Sequence, residues 1–145
     1  MGGAIWDFVS PGLKEPVRLL QDDSPYHTPA HLMGNAKLVK GKNGTVLDLN
    51  GHDQWVEVYR SDNVEISADQ LTITMQVYPR KLISSCGSFI TKGSKQLGIQ
   101  QEGKDNITFY IYTDKLYKAT GKLPADWEYN WHQLYAVYNG TEICL

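Results

Sequence analysis

From Lys37 onward, hydrophobic and polar positions alternate with a period of two. The clearest run is LTITMQVY, residues 71–78, in which Leu71, Ile73, Met75 and Val77 alternate with polar side chains. Successive side chains of a β-strand point to opposite faces, so this run predicts a strand with one core face and one solvent face. The same period recurs in five more segments: TVLDL at 45–49, QWVEVY at 54–59, QLGIQ at 96–100, NITFYIY at 106–112 and HQLYAVY at 132–138.

Turn-forming residues separate these predicted strands. No stretch of ten or more residues has the 3.6-residue period of an amphipathic helix. Short alternating strands joined by turns predict an all-β protein, and specifically an antiparallel β-sandwich. The turn signals are Lys42-Asn43-Gly44, Asn50-Gly51, Gly93, Gly103-Lys104-Asp105 and Asn139-Gly140.

The first 33 residues have a different pattern. A strand-like apolar run, GGAIWDF at residues 2–8, precedes SPGLKEPVRLLQDDSPYHTPAH at residues 10–31, which contains four of the six prolines. Proline lacks a backbone donor and restricts the residue before it, so this segment is predicted to be an extended strap over a surface. The sequence therefore predicts a boundary at Gly34, with residues 1–33 separate from a sandwich of residues 34–145.

Composition and charge limit the partners of the chain. Its 145 residues are the length of a single domain. The net charge is −2 and the lysines are scattered, so we expect no nucleic-acid partner. No apolar run approaches the roughly 18 residues that cross a bilayer, and the first residues lack the basic start and apolar stretch of a secretory signal. We therefore expect a soluble chain without a membrane partner, whose localisation the sequence does not indicate.

The cysteines and histidines give weak chemical signals. Cys86 and Cys144 allow one disulfide, but two buried or inert thiols are the favoured interpretation. His27 and His31 have the spacing of zinc ligands on a helix. Because Thr28-Pro29 between them disfavours a helix, we interpret both as strap residues.

Four motifs in the second part of the chain occur in a recognisable order. They are GKNGTVLDLNGHDQWVEV from Gly41, QLTITMQVYP from Gln70, GSFITKG from Gly87 and WHQLYAVYNGTEICL from Trp131. This order, over about residues 34–145, resembles laminin-G-like, concanavalin-A-like jelly-roll domains. In that family the chain continues beyond the position of Leu145, so the resemblance implies a jelly roll that is incomplete at its C-terminus. An open sheet edge would then pair with the N-terminal segment or with a second chain.

The resemblance also bears on metal binding. Asp48, Asn50 and Asp53 are spaced like the start of a calcium loop, but an EF-hand needs glycine and glutamate where Asp53 and Tyr59 stand. Laminin-G-like domains sometimes hold calcium on a loop at the sandwich rim. A rim site at Asp48 or Asp53 is therefore retained as a minor expectation, and no other cofactor is predicted.

The opening segment resembles a different family. GGAIWDFVSPGL is similar to the segment near the last barrel strand of glycoside hydrolase family 2 β-galactosidases, where the residue matching Trp6 lines the sugar pocket. Phe8, Ser10 and Pro11 depart from that family's pattern. The catalytic glutamates of the family precede this segment and are not in the chain. The resemblance implies a fragment of a larger sugar-cleaving enzyme, and we expect it to be inactive alone.

Polar and aromatic side chains on predicted outward faces suggest a ligand site. In NITFYIY the core positions are odd-numbered, which places Thr108, Tyr110 and Tyr112 outside. Together with Gln76 and Tyr78, these residues could stack on sugar rings and bind hydroxyl groups. The alternative is that the tyrosines pack on missing strands or on the parent enzyme.

Two functions therefore remain open at the level of the sequence. The first is a non-catalytic accessory sandwich that braces the catalytic domain of a β-galactosidase-type enzyme. The second is a carbohydrate-binding module for β-galactosides or plant polysaccharides.

Overall fold

Antiparallel β-strands make up the regular structure of the described chain. A computed structural model describes residues 18–42, 44–66, 69–80, 86–93 and 95–145. Within these ranges there are twelve strands and one short 3-10 turn at Asp62–Val64, and none of these residues forms a helix that could cross a membrane. The predicted all-β class is confirmed. The chain forms two units, Met1–Glu65 and Ile66–Leu145. The sequence-based boundary at Gly34 falls within the first unit.

The described residues of the first unit form two small antiparallel sheets. Their strands are β1 Leu19–Leu20, β2 Ala30–Met33, β3 Lys37–Gly41, β4 Gly44–Asp48 and β5 Trp55–Val58. One sheet has the strand order β1-β2-β5 and the other is the hairpin β3-β4. Strands β1 and β2 flank a proline-containing stretch, so the described part of the predicted strap includes paired strands as well as loop.

A tight turn joins β2 to β3. Gly34 and Asn35 have φ of 62° and 61°, and the Ala36 N–H donates to the Met33 carbonyl at 3.1 Å. A Cβ atom on Gly34 would stand 1.7 Å from the carbonyl oxygen of Asp53. The left-handed conformation and this close approach together require glycine.

The loop between β1 and β2 is organised by one carboxylate. Asp22 accepts hydrogen bonds from the Ser24 hydroxyl at 2.7 Å, the Ser24 N–H at 2.8 Å and the Thr28 N–H at 2.8 Å. These bonds, led by that of the Ser24 hydroxyl, lower the pKa of Asp22 because they stabilise its charged form. The loop is therefore held by an ionised side chain.

The second unit consists of a four-stranded and a three-stranded antiparallel sheet. The strands of the four-stranded sheet are β7 Cys86–Lys92, β8 Leu97–Glu102, β9 Asn106–Tyr112 and β10 Leu116–Lys122. Those of the three-stranded sheet are β6 Leu71–Val77, β11 His132–Tyr138 and β12 Ile143–Cys144. The strand orders are β10-β9-β8-β7 and β12-β11-β6.

The inward faces of these two sheets share one core. Ile99 and Phe109 of the four-stranded sheet and Ala136 of the three-stranded sheet are all fully buried. Partly buried side chains from β6 pack on this cluster, since their alternate positions face the same way. The second unit is therefore a two-layer β-sheet structure with one hydrophobic core, as expected for a sandwich. The buried cluster comprises Leu97, Ile99, Ile107, Phe109, Ile111, Trp127, Ala136 and Tyr138.

One buried polar side chain ties a loop to this core. Gln101 is 1% exposed, and its Oε1 accepts from the Trp127 Nε1–H at 3.3 Å while its Nε2 donates to the Gly103 carbonyl at 2.9 Å. The Trp127 ring also packs edge-on against Phe89, with centroids 6.1 Å apart. The loop between β10 and β11 is thereby anchored, and the buried indole N–H of Trp127 and amide of Gln101 are both hydrogen-bonded.

Candidate functional site

The predicted sheet-face residues lie on two different faces of the second unit. Gln76 lies on the outward face of the three-stranded sheet, and Tyr78 directly follows β6 on the same side. Thr108, Tyr110 and Tyr112 lie on the outward face of the four-stranded sheet. Because the inward faces meet in the core, the two outward faces point away from each other. The five residues therefore do not form a single site.

On the four-stranded face, two pairs of polar side chains are hydrogen-bonded to each other, Thr108 with Thr120 and Gln100 with Glu102. Thr108 is fully buried, and its hydroxyl oxygen lies 2.9 Å from the Thr120 hydroxyl oxygen, at hydrogen-bond distance. The Tyr110 side chain lies over Gly98, where a Cβ atom would come within 2.7 to 2.9 Å of the hydroxyl oxygen and two ring carbons. Glycine therefore leaves room for the ring. Tyr112 is half exposed at the end of β9, so it is the one predicted tyrosine here with a freely accessible ring.

The three-stranded face presents an exposed aromatic pair. The rings of Tyr78 and Trp131 have centroids 5.4 Å apart at an interplanar angle of 49°. Tyr78 is 42% exposed and Trp131 is 53% exposed. Gln76 and Gln133 are directly opposite each other in the next row, and Thr74 is opposite Tyr135 in the row after that. We call the surface formed by these six residues the aromatic-amide face.

The aromatic-amide face carries no charged side chain. The exposed positions of β6 and β11 are Thr72, Thr74 and Gln76 on one strand and Gln133, Tyr135 and Val137 on the other. The whole chain has 14 Lys and Arg and 16 Asp and Glu residues, so this neutral block is a local feature. Arg80, two residues beyond Tyr78, is the next charged residue along the chain. Such a surface suits an uncharged ligand.

Sequence reasoning missed Trp131 as a surface residue. The sequence predicts that Trp55, Trp127 and Trp131 pack in the core or at the rim, and Trp131 matches a structural position of the jelly-roll motif. Only Trp127 is buried, whereas Trp131 and Trp55 are about half exposed. The signal that could have identified Trp131 is its phase, because it continues the outward series of Gln133 and Tyr135 by two residues.

A separate cleft opens at one end of the second unit. It has a volume of about 450 Å³ and lies between the turn after β8 and the loop before β11. Trp127 forms part of its wall, and Lys104, Asp105 and Glu128 give it charges of both signs. None of the predicted site residues lines it.

The predicted calcium site is not assembled into a recognisable ligand set. Asp48 ends β4, whereas the Asp53 carboxylate accepts a bond from the Asn50 side-chain amide at 2.7 Å. The Asn50 side-chain oxygen in turn accepts from the backbone N–H of His52 at 2.9 Å. Across the described ranges, no three His, Cys, Asp or Glu side chains are grouped to hold a metal. A rim site at Asp48 or Asp53 stays a prediction.

The remaining candidate residues are placed as follows. His31 is in β2 with its ring against Tyr59, the centroids being 4.6 Å apart, and His27 is in the preceding loop. Cys86 and Cys144 are both free, in line with the interpretation of two unpaired thiols, but neither is buried, because both take outward positions in their strands. Trp6, the predicted sugar-pocket residue, lies outside the described residues.

Comparisons of the chain with protein-family models, with curated proteins and with solved structures found no match.

Proposed function

We propose that the chain is a non-catalytic accessory module of a β-galactosidase-type glycoside hydrolase and that it binds neutral carbohydrate. The observation that carries the proposal is the aromatic-amide face with its exposed Tyr78–Trp131 pair. The enzyme class rests on the resemblance of residues 2–13 to the barrel end of family 2 glycoside hydrolases.

The chemistry of the face matches that of a sugar. The C–H groups on one side of a pyranose ring can pack on the exposed rings of Trp131 and Tyr78. Sugar hydroxyl groups both donate and accept hydrogen bonds, as do the amides of Gln76 and Gln133. A few convergent polar groups beside aromatic rings are typical of small-molecule sites.

The fold proposed for this module is a jelly roll of the concanavalin-A type. Its support is the pair of antiparallel sheets in residues 66–145, together with the order of the four sequence motifs. Among the described residues, β6 pairs only with β11, so its second edge is where a further strand of a complete jelly roll would add. A neighbouring segment or a second chain could supply that strand.

Bracing of the catalytic domain is the second candidate function. It is favoured by the exposed Tyr135 and Val137 side chains, because aromatic and apolar groups also line protein interfaces. In that case the aromatic-amide face would pack on protein and would have no affinity for sugars.

Affinity electrophoresis in gels that contain a neutral β-galactan tests the proposal. We expect the chain to be retarded, and we expect Trp131→Ala to weaken retardation about tenfold, the equivalent of about 1.4 kcal/mol. Tyr112→Ala is the matched control, since it removes an exposed tyrosine from the opposite face. Added salt should leave retardation unchanged, because screening acts on charges that this face lacks.

Two results would overturn the proposal. One is the absence of retardation of the folded chain by β-galactan and by other neutral β-linked polysaccharides, which is the result that bracing alone predicts. The other is retardation that Tyr112→Ala abolishes and Trp131→Ala leaves intact, which would move the site to the four-stranded face.

A further inference from the structure

The aromatic-amide face is longer than one sugar ring. Trp131 directly precedes β11, and Gln133 and Tyr135 occupy the next two outward positions along the strand. At about 3.4 Å per residue, the Cα atoms of Trp131 and Tyr135 are about 14 Å apart. Tyr135 is 60% exposed, so its ring is available to a ligand that reaches it. A single sugar on the Tyr78–Trp131 pair would leave Tyr135 without a contact.

The three rows of the face differ in chemistry in a regular order. The first row is aromatic, the second holds the opposed amides of Gln76 and Gln133, and the third holds Tyr135 opposite Thr74. A ligand that runs along β11 therefore meets rings, then amides, then a ring and a hydroxyl. None of the outward positions that β6 and β11 contribute to this path is charged.

The aromatic-amide face is much shorter in the direction across the strands than along β11. The third strand of this sheet, β12, pairs only with Val137 and Tyr138, so it does not extend beside Gln133 or Tyr135. At those two rows the described sheet is two strands wide, which is about 5 Å between strand axes. The long dimension of the face is therefore the direction of β11.

We infer that the face binds an extended neutral oligosaccharide laid along β11, with Tyr135 and Thr74 forming a second subsite beyond the Tyr78–Trp131 pair. This inference rests on the proposed function and adds a ligand length, an orientation and a specificity-determining residue. Gln76 and Gln133 bind hydroxyl groups of the sugar between the two subsites.

Isothermal titration with galactose and with linear β-galacto-oligosaccharides of increasing length tests the inference. We expect affinity to rise at least tenfold with length and then to level off once the ligand reaches Tyr135. Tyr135→Ala should abolish this gain while leaving the affinity for the shortest bound ligand within about twofold. Tyr112→Ala removes an exposed tyrosine from the opposite, four-stranded face and should change neither quantity.

The outcomes separate the inference from the proposed function. Affinity that depends on Trp131 but not on ligand length overturns the extended site and leaves carbohydrate binding standing. A length-dependent gain that survives in Tyr135→Ala also overturns it. Failure of every sugar to bind the folded wild-type chain overturns both proposals. Circular dichroism and urea unfolding of each variant establish that it is folded.

Discussion

At the scale of single residues, two tryptophans four positions apart have opposite environments. Trp127 is buried and its indole N–H is satisfied by Gln101, whereas Trp131 is exposed beside Tyr78. Between them, Tyr129 has a φ of 60° and its N–H donates to the Pro79 carbonyl at 2.7 Å. This turn separates the loop that anchors in the core from the strand that presents the face. Residue type alone does not distinguish the two roles.

Replacement of Gly34 by alanine should destabilise the first unit severely. The added Cβ meets both a left-handed backbone and the Asp53 carbonyl, so we expect a loss of about 3 kcal/mol or more. Gly51→Ala is the control, because Gly51 has a φ of 74° with nothing within 4 Å of the added carbon. It should lose about 1 to 2 kcal/mol through backbone strain alone. Native-state hydrogen exchange at the amides of β2 and β5 measures both losses, and equal losses would contradict the role of the Asp53 contact.

At the scale of elements, the strands with regular alternation could be predicted and the irregular ones could not. The six period-two segments all contain strands, with boundaries shifted by a residue or so. In β7 the register shifts between Ser88 and Ile90, which breaks the alternation. In β10 the inward positions include Ala119 and Gly121, so its apolar signal is weak. Strands β7 and β10 were not predicted because a bulge and small core residues interrupt the alternation of apolar and polar positions.

The candidate site was only partly predictable for a related reason. The period-two pattern placed Gln76, Thr108, Tyr110 and Tyr112 opposite the core positions of their strands, where they lie, although Thr108 is fully buried rather than at the surface. The sheet to which each strand belongs depends on pairing between distant segments, such as β6 with β11. Local alternation carries no information on that pairing. The sequence therefore grouped side chains that the fold places on opposite faces.

Alanine replacements at a buried and at an exposed position of β9 should differ in their effect on stability. Phe109 is fully buried, so Phe109→Ala should lower the free energy of unfolding of the second unit by about 3 to 5 kcal/mol. Tyr112→Ala on the same strand should change it by about 0.5 kcal/mol or less, because that side chain is exposed. Urea unfolding monitored by far-ultraviolet circular dichroism measures both. A loss below about 1 kcal/mol for Phe109→Ala would contradict the assigned core.

At the scale of the whole molecule, the second unit has a core of its own. Among the residues that the structure describes, every side chain of the buried cluster, and every partly buried side chain packed on it, comes from residues 66–145. Its strands also pair with one another in both sheets. A unit with its own hydrophobic core is the physical definition of a domain that can fold by itself.

A chain of residues 66–145 should therefore fold without residues 1–65. We expect this shorter chain to unfold cooperatively in urea. Its m value should be lower than that of the full chain, because unfolding exposes less surface. Phe109→Ala should destabilise this shorter chain by the same about 3 to 5 kcal/mol as the full chain, since the neighbours of Phe109 in the core are retained. Fluorescence can follow the transition because Trp127 and Trp131 are its two tryptophans and Trp127 becomes solvated on unfolding. A non-cooperative transition, or a Phe109→Ala effect confined to the full chain, would show that the core of this unit depends on the segment before Ile66.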